Sequence, residues 1–269
     1  MQPGQPSPRR AGDSDDSFWR DYLTGANDAP RYRRHLFKHL PREPRCRLCG
    51  APFGDPGGRL MRLVGRRPAI QNPSICSECF TFISRHRGGA EVECTMLFAD
   101  IRGSTTIAES MSPGAFRDLL DRFYTVASAT VFRHDGTVDK FVGDELVAIF
   151  FPLFCGDRHA AMAIEAARDL LTETGHQSPN GPWVSVGAGV HTGTPWYGTV
   201  GQGQHVDLTA VGDAMNVTAR LASAATAGEV LVTTHAATSA GLDPALERRS
   251  LALKGRQQPI DVVVVGPAS

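Results

Sequence analysis

Apolar and polar positions settle into regular patterns from residue 91 onward. "EVECTMLFADI" (91–101) reads as a strand, buried on both faces toward its end. "SPGAFRDLLDRFYTVASATVFRHDG" has helical periodicity, with Ser112 as N-cap, Pro113 in the first turn and Gly136 at the stop. In "VDKFVGDELVAIFF" (138–151), two apolar runs flank a Gly-Asp turn signal, which predicts a β-hairpin. "DRHAAMAIEAARDLLTETG" predicts a second helix capped by Asp157 and ended by Gly175. A strand "VSVGAGVHTG", a helix "GDAMNVTARLASAAT" and short strands "GEVLVT", "SLALK" and "IDVVVV" complete the chain. The order βαββαβ with late additions predicts an α/β (α+β) ferredoxin-like fold over 91–269.

The first third has a different character. Residues 1–17 are rich in Pro, Gly, Ser and Asp and predict a disordered tail. One or two short amphipathic helices are expected over 18–44, then a cysteine-bounded module over 45–86, with "RHRGGAE" (85–91) as a hinge. No apolar run approaches the ~20 residues needed to cross a bilayer, and the N-terminus lacks the apolar region of a secretory signal. A soluble, cytoplasmic protein is expected. The formal net charge of zero hides an asymmetry: residues 31–87 hold thirteen Lys/Arg against Glu43, Asp55 and Glu78, whereas the chain from Gly88 on is acidic. A basic module beside an acidic one implies either an anionic partner, such as nucleic acid, or docking of one half onto the other.

Four cysteines form two pairs, "CRLC" (Cys46, Cys49) and "CSEC" (Cys76, Cys79). In a reducing compartment that pattern favours metal over disulfides, and four thiolates suit tetrahedral Zn²⁺ in a zinc-ribbon-like module. The spacing exceeds the usual zinc-ribbon range, and an iron–sulfur cluster is the alternative. Cys94 and Cys155 sit in apolar contexts and read as buried thiols.

Two aspartates raise a chemical question. Asp100 ends an apolar strand in "LFADIRGST", and Asp144 sits at the hairpin turn in "KFVGDE". Each has a bland reading, as helix cap and as solvated turn residue. If the first strand lies beside the hairpin, however, the two carboxylates converge, and they repel unless a cation joins them. Mg²⁺ with substrate phosphates fits, and the amides from Ile101 through Arg102, Gly103 and Ser104 to Thr105 would form an anion-binding nest at a helix start. Asn216 and Arg220, four apart on one helix, share a face. His191 in "GVHTG" has no acidic or cysteine partner near it in sequence and reads as a packing residue.

Taken together, "LFADIRGST", "KFVGDE", "GVHTG…GTVG", "TAVGDAMNVTARL" and "LKGR" resemble class III nucleotidyl cyclase domains, the group that includes most adenylate and guanylate cyclases. The resemblance implies that Asp100 and Asp144, helped by the Ile101 carbonyl, bind two Mg²⁺ (or Mn²⁺) ions. It implies that Lys140 and Thr209 read adenine, Thr209 standing where many adenylate cyclases have Asp. Asn216 would orient the ribose, Arg220 would stabilise the transition state, and Lys254, with Arg256 as fallback, would bind phosphate. The implied reaction converts ATP to 3′,5′-cyclic AMP and pyrophosphate at the interface of a head-to-tail homodimer. A guanylate or other nucleotide cyclase is the alternative. A dinucleotide-forming cyclase, suggested by the likeness of "VGDEL" to "GGDEF", is disfavoured by the Asn216/Arg220 helix. A non-catalytic nucleic-acid binder using the cysteine module is the reading from another class.

Overall fold

The computed structural model describes residues 12–26, 29–40, 44–70, 72–201, 207–252 and 258–268. Four helices precede the sheet: α1 (Gly12–Thr24), α2 (Ala29–Lys38), α3 (Gly57–Leu63) and α4 (Ser77–Arg85). Then come β1 (Gly89–Glu91), β2 (Cys94–Ile101), α5 (Ser104–Ser110), α6 (Pro113–Arg133), β3 (Thr137–Val142), β4 (Glu145–Phe150), α7 (Pro152–Cys155), α8 (His159–Glu173) and β5 (Val186–Gly193). The chain closes with β6 (Trp196–Val200), β7 (Asp207–Val211), α9 (Asp213–Ala224), β8 (Val230–Thr233), α10 (Thr234–Ser239), β9 (Arg248–Leu251) and β10 (Ile260–Val265).

The main sheet has the order β3-β4-β2-β5-β8-β10-β9. Strand β2 lies between β4 and β5, antiparallel to both, as the βαββαβ pattern requires. Both faces of the sheet are covered. Leu231 and Val262 pack with Val217 and Leu221 of α9, whereas Val230, Val232 and Val263 join the larger core. Alternate residues of a strand face opposite sides. Double coverage explains why every residue of β2 except Asp100 is buried.

Helix α6 starts as expected: Pro113 is its first residue and the Ser112 hydroxyl accepts from the Ala115 amide. Three expectations change. The polar tail is helical from Gly12. The segment read as a hinge contains β1, which pairs with β6, and β6 with β7, to form a second, three-stranded sheet. A Cβ on Gly89 would lie 2.4 Å from the Tyr197 carbonyl, so this glycine serves close approach of two strands rather than flexibility. Asp157 is not a cap, because α8 starts at His159 after a 3-10 turn and Arg158 precedes it without a side-chain cap bond.

The N-terminal elements are packed into the same core as the sheet. Trp19 of α1 is 1% exposed and its indole N–H donates to the His86 carbonyl at 3.1 Å. Phe18 stacks on His86 and Tyr22 packs on Phe82. Arg34 of α2 is buried between the rings of Phe132 and Phe154 and donates to the Gly136 carbonyl and the Thr137 hydroxyl. Arg47, between the first two module cysteines, donates to the backbone carbonyls of Asp139 and Leu208 and to the Asp207 carboxylate. Of the thirteen basic residues in 31–87, Arg34 and Arg47, with Lys38 on Asp135, are committed to contacts with the sheet domain. Among the described residues no helix is long and apolar enough to cross a membrane.

Candidate active site and cysteine centre

The sheet register brings the two aspartates to one end of the domain. Asp100 is paired with Glu145 on β4 and with Gly187 on β5. Val142 pairs with Glu145, so Gly143 and Asp144 form a two-residue hairpin loop. Gly143 has φ +62°, the left-handed conformation such tight loops need. The Tyr124 hydroxyl donates to the Gly143 carbonyl and its ring stacks on Phe141, fixing the tip. Asp144 is thereby held next in sequence to the residue opposite Asp100.

Charge is concentrated at this end. Asp100 Oδ1 is buried, and the Arg102 guanidinium lies directly against that oxygen as an ion pair. Arg102 also donates to the carbonyls of Ser223 and Ala225 at the end of α9. Burial lowers the pKa of Arg102, and Asp144 and Glu145 oppose that shift. Burial, reinforced by Asp144, pushes the Glu145 carboxyl above its ordinary value. Glu145 is a third acid at the site that sequence reasoning passed over, although it follows Asp144 in the quoted motif.

The expected nest is smaller than the sequence suggested. The Arg102 amide donates to the Ser185 carbonyl at 2.8 Å, so it is used within the protein. Gly103 adopts φ +69° and precedes α5, leaving the amides of Ser104 and Thr105 in the first turn without intrahelical acceptors. The Ile101 side chain is buried in β2.

Lys140 and Thr209 meet around a residue the sequence reading did not single out. The Thr209 hydroxyl donates to Asp139 Oδ2 at 2.8 Å, and Lys140 Nζ lies 3.5 Å from the same oxygen and 3.9 Å from Asp207. Asp139 is 2% exposed, and its Oδ1 is buried without a partner. The register of β3 against β4 skips Asp139, which marks a β-bulge. A cavity of about 650 Å³ opens here, bordered by Lys140, Asp139, Asp207, Phe141, Tyr124 and Arg47.

Asn216 is exposed and Arg220 half-buried on α9. Among the described residues neither side chain has a hydrogen-bond or ion-pair partner. Lys254 and Arg256 lie outside the described residues. His191 Nδ1 is 3.1 Å from the Thr233 hydroxyl, consistent with the packing role read for it.

The four module cysteines converge: their sulfur atoms all lie within 4.8 Å of one another. Two backbone features shape the site, the Cys76 amide donating to Cys46 Sγ and the bridge between Arg45 and Pro52. The Arg66 guanidinium is 3.6 Å from both Cys49 and Cys76 Sγ and paired to Glu78, an arrangement that offsets thiolate charge. Cys94 and Cys155 are buried apart from the cluster, and burial pushes the Cys155 thiol up to about 12.

A family model described as the adenylate and guanylate cyclase catalytic domain matches residues 89–265, and the chain belongs to that family. The chain is 34% identical over 132 residues to an adenylate cyclase of Anabaena cylindrica, covering 47% of this chain and 26% of the relative. It is 34% identical over 148 residues to adenylate cyclase 1 of Rhizobium meliloti, covering 51% of this chain and 22% of that protein. The matched region thus spans about a quarter of these relatives. The fold matches the crystal structure of the adenylyl cyclase CyaB from P. aeruginosa at TM-score 0.57 and 28% identity, covering 67% of this chain and 97% of that one. It also matches the guanylyl cyclase Cya2 at TM-score 0.61 and 24% identity, covering 68% and 95%.

Proposed function

We propose that this protein is an adenylate cyclase that converts ATP to 3′,5′-cyclic AMP and pyrophosphate. The observation that carries the reading is the sheet register that sets Asp100 opposite Glu145, next to the hairpin tip that presents Asp144. A desolvated carboxylate oxygen is costly unless a cation meets it. In the described structure Arg102 supplies counter-charge from one side. Asp100, Asp144 and the Ile101 carbonyl suit two Mg²⁺ or Mn²⁺ ions, which when bound would neutralise the triphosphate and lower the pKa of the attacking hydroxyl.

The chain's own groups account for the remaining work. The amides of Ser104 and Thr105, at the start of α5, donate to phosphate oxygens. Asn216 orients the ribose so that its 3′-oxygen faces the α-phosphorus. The new O–P bond forms as the bond to the pyrophosphate oxygen breaks, and the hydroxyl proton leaves to solvent. Arg220, four residues on along the same helix, neutralises charge growing on the phosphoryl oxygens. Lys140 and Thr209 face the base, and two adenylate cyclases among the relatives favour ATP over GTP. Lys254, or Arg256, is proposed for phosphate binding on the strength of the motif.

A head-to-tail homodimer is proposed because family resemblance assigns the metal aspartates to one subunit and the base, ribose and transition-state groups to the other. The partnerless Asn216 and Arg220 support this, as do the exposed apolar side chains of Val142, Val200 and Val211 on the hairpin and second sheet. For the cysteine centre we propose Zn²⁺. A tetrahedral ion about 2.3 Å from each sulfur sets neighbouring sulfurs about 3.8 Å apart, and Cys49 and Cys76 Sγ are 3.8 Å apart. That spacing favours one ion over an iron–sulfur cluster. The nucleic-acid reading loses support because Arg34, Arg47 and Arg66 are buried.

Incubating the purified chain with ATP, GTP, CTP or UTP and Mg²⁺ or Mn²⁺, with products identified by mass, tests the proposal. Cyclic AMP and pyrophosphate are expected from ATP, and lost in D100N. Absence of a cyclic product, or cyclic GMP as the main one, would overturn it.

A further inference from the structure

Lys140 and Thr209 do not by themselves explain a preference for adenine. An ammonium is donor-only, so Lys140 can serve adenine N1 or guanine O6 alike. The discriminating group is the Thr209 hydroxyl, which can either donate or accept. Adenine presents a 6-amino donor where guanine presents the O6 acceptor. Selectivity for ATP therefore requires that the Thr209 proton be committed elsewhere, leaving a lone pair for the base.

The structure supplies that commitment. Thr209 Oγ1 donates to Asp139 Oδ2 at 2.8 Å, and an ionised carboxylate only accepts. Lys140 at 3.5 Å from Oδ2 and Arg47 on the Asp139 carbonyl place two cations beside this buried acid. Burial raises the pKa of Asp139, while Thr209, Arg47 and Lys140 oppose the rise. Arg47 also binds the Leu208 carbonyl, one residue before Thr209, so a single guanidinium ties β3 to β7 where the two side chains meet.

Resting on the adenylate cyclase reading, we infer that Asp139 is a positioning residue for substrate choice: it holds the Thr209 hydroxyl as an acceptor toward the base, admitting the adenine amino group and refusing guanine O6. Asp139 itself is 2% exposed, at the edge of the cavity beside Lys140. Thr209 is 6% exposed.

The test compares kcat/KM for ATP and GTP in five proteins: wild type, D139N, D139L, T209V and D139L/T209D. An Asn keeps an acceptor oxygen, which Lys140 draws to the Oδ2 position, so D139N retains the wild-type ATP/GTP ratio. D139L frees the hydroxyl to rotate, and the ratio falls at least about tenfold, matching the cost of one unpaired buried polar group. T209V lowers the ratio to the same extent. In D139L/T209D a carboxylate accepts from the amino group without help, and ATP preference returns. A purely structural role for Asp139 would lower both substrates equally and leave the ratio unmoved. An unchanged ratio in folded D139L, or a ratio lost in D139N as in D139L, overturns the inference. Should D139L not fold, a wild-type ratio in T209V overturns it equally. If the wild type makes no cyclic AMP, the failure belongs to the adenylate cyclase reading instead.

Discussion

Arg220 illustrates what a single residue discloses through its lack of partners. It is half-buried on α9, yet no acidic group or carbonyl among the described residues meets it. A guanidinium so placed is available to charge that arrives with a substrate. R220A is expected to lower kcat by about 10²–10³-fold, as does removal of one preorganised donor to transition-state charge, with the KM for ATP nearly unchanged. Steady-state kinetics on the two proteins check this. The placement of Asp100 on β2, Lys140 on β3, Asp144 at the hairpin tip and Asn216 and Arg220 on α9 was legible in the sequence because each sits in a motif bounded by a turn or a periodic run. Asp139 was not. It precedes Lys140 in "VDKF", and although it shares the buried face of Thr137 on β3, a carboxylate is not a residue that pattern reading assigns to a core. The register shift beside it arises from pairing with β4, which no local pattern announces.

At the level of elements, hydrophobic period identified β2, α6, the β3–β4 hairpin, α8, β5 and α9, because each is long or bounded by Gly, Pro or a cap. The three-stranded sheet escaped notice. β1 has three residues within a Gly-rich stretch, and its stability comes from β6, more than a hundred residues away. Helix α1 was legible in kind but not in extent or importance. Its Trp19 enters the core between the module and β1, so its energetic weight depends on tertiary contacts rather than helix propensity. W19A should destabilise the chain by about 3–5 kcal/mol, the usual cost of truncating a buried large aromatic. Urea or guanidinium unfolding, comparing midpoints and slopes, measures it.

For the whole molecule, the proposed site is shared between two copies. A D144A chain lacks one half of it and an R220A chain the other. Mixed in equal amounts and allowed to exchange, half the dimers are mixed and each has one intact site, so about a quarter of wild-type activity should return. Cyclic AMP assays of the mixture against each variant alone measure this, and a mixture as inactive as its components would exclude site sharing. The charge asymmetry of the two halves was visible in composition. Which way it resolved required seeing the arginines turned inward.

The arginine bridges bear on how much of the chain the cyclase-family region needs around it. Family likeness starts at residue 89, but a fragment cut there would leave the carbonyls of Gly136, Asp139 and Leu208 without their guanidinium donors and strip the cover from Phe132 and Phe154. The smallest faithful unit therefore includes the preceding helices and the four-cysteine centre. Arg47 spans from the four-cysteine centre to the residues proposed to face the base, so a change at one is one side chain away from the other.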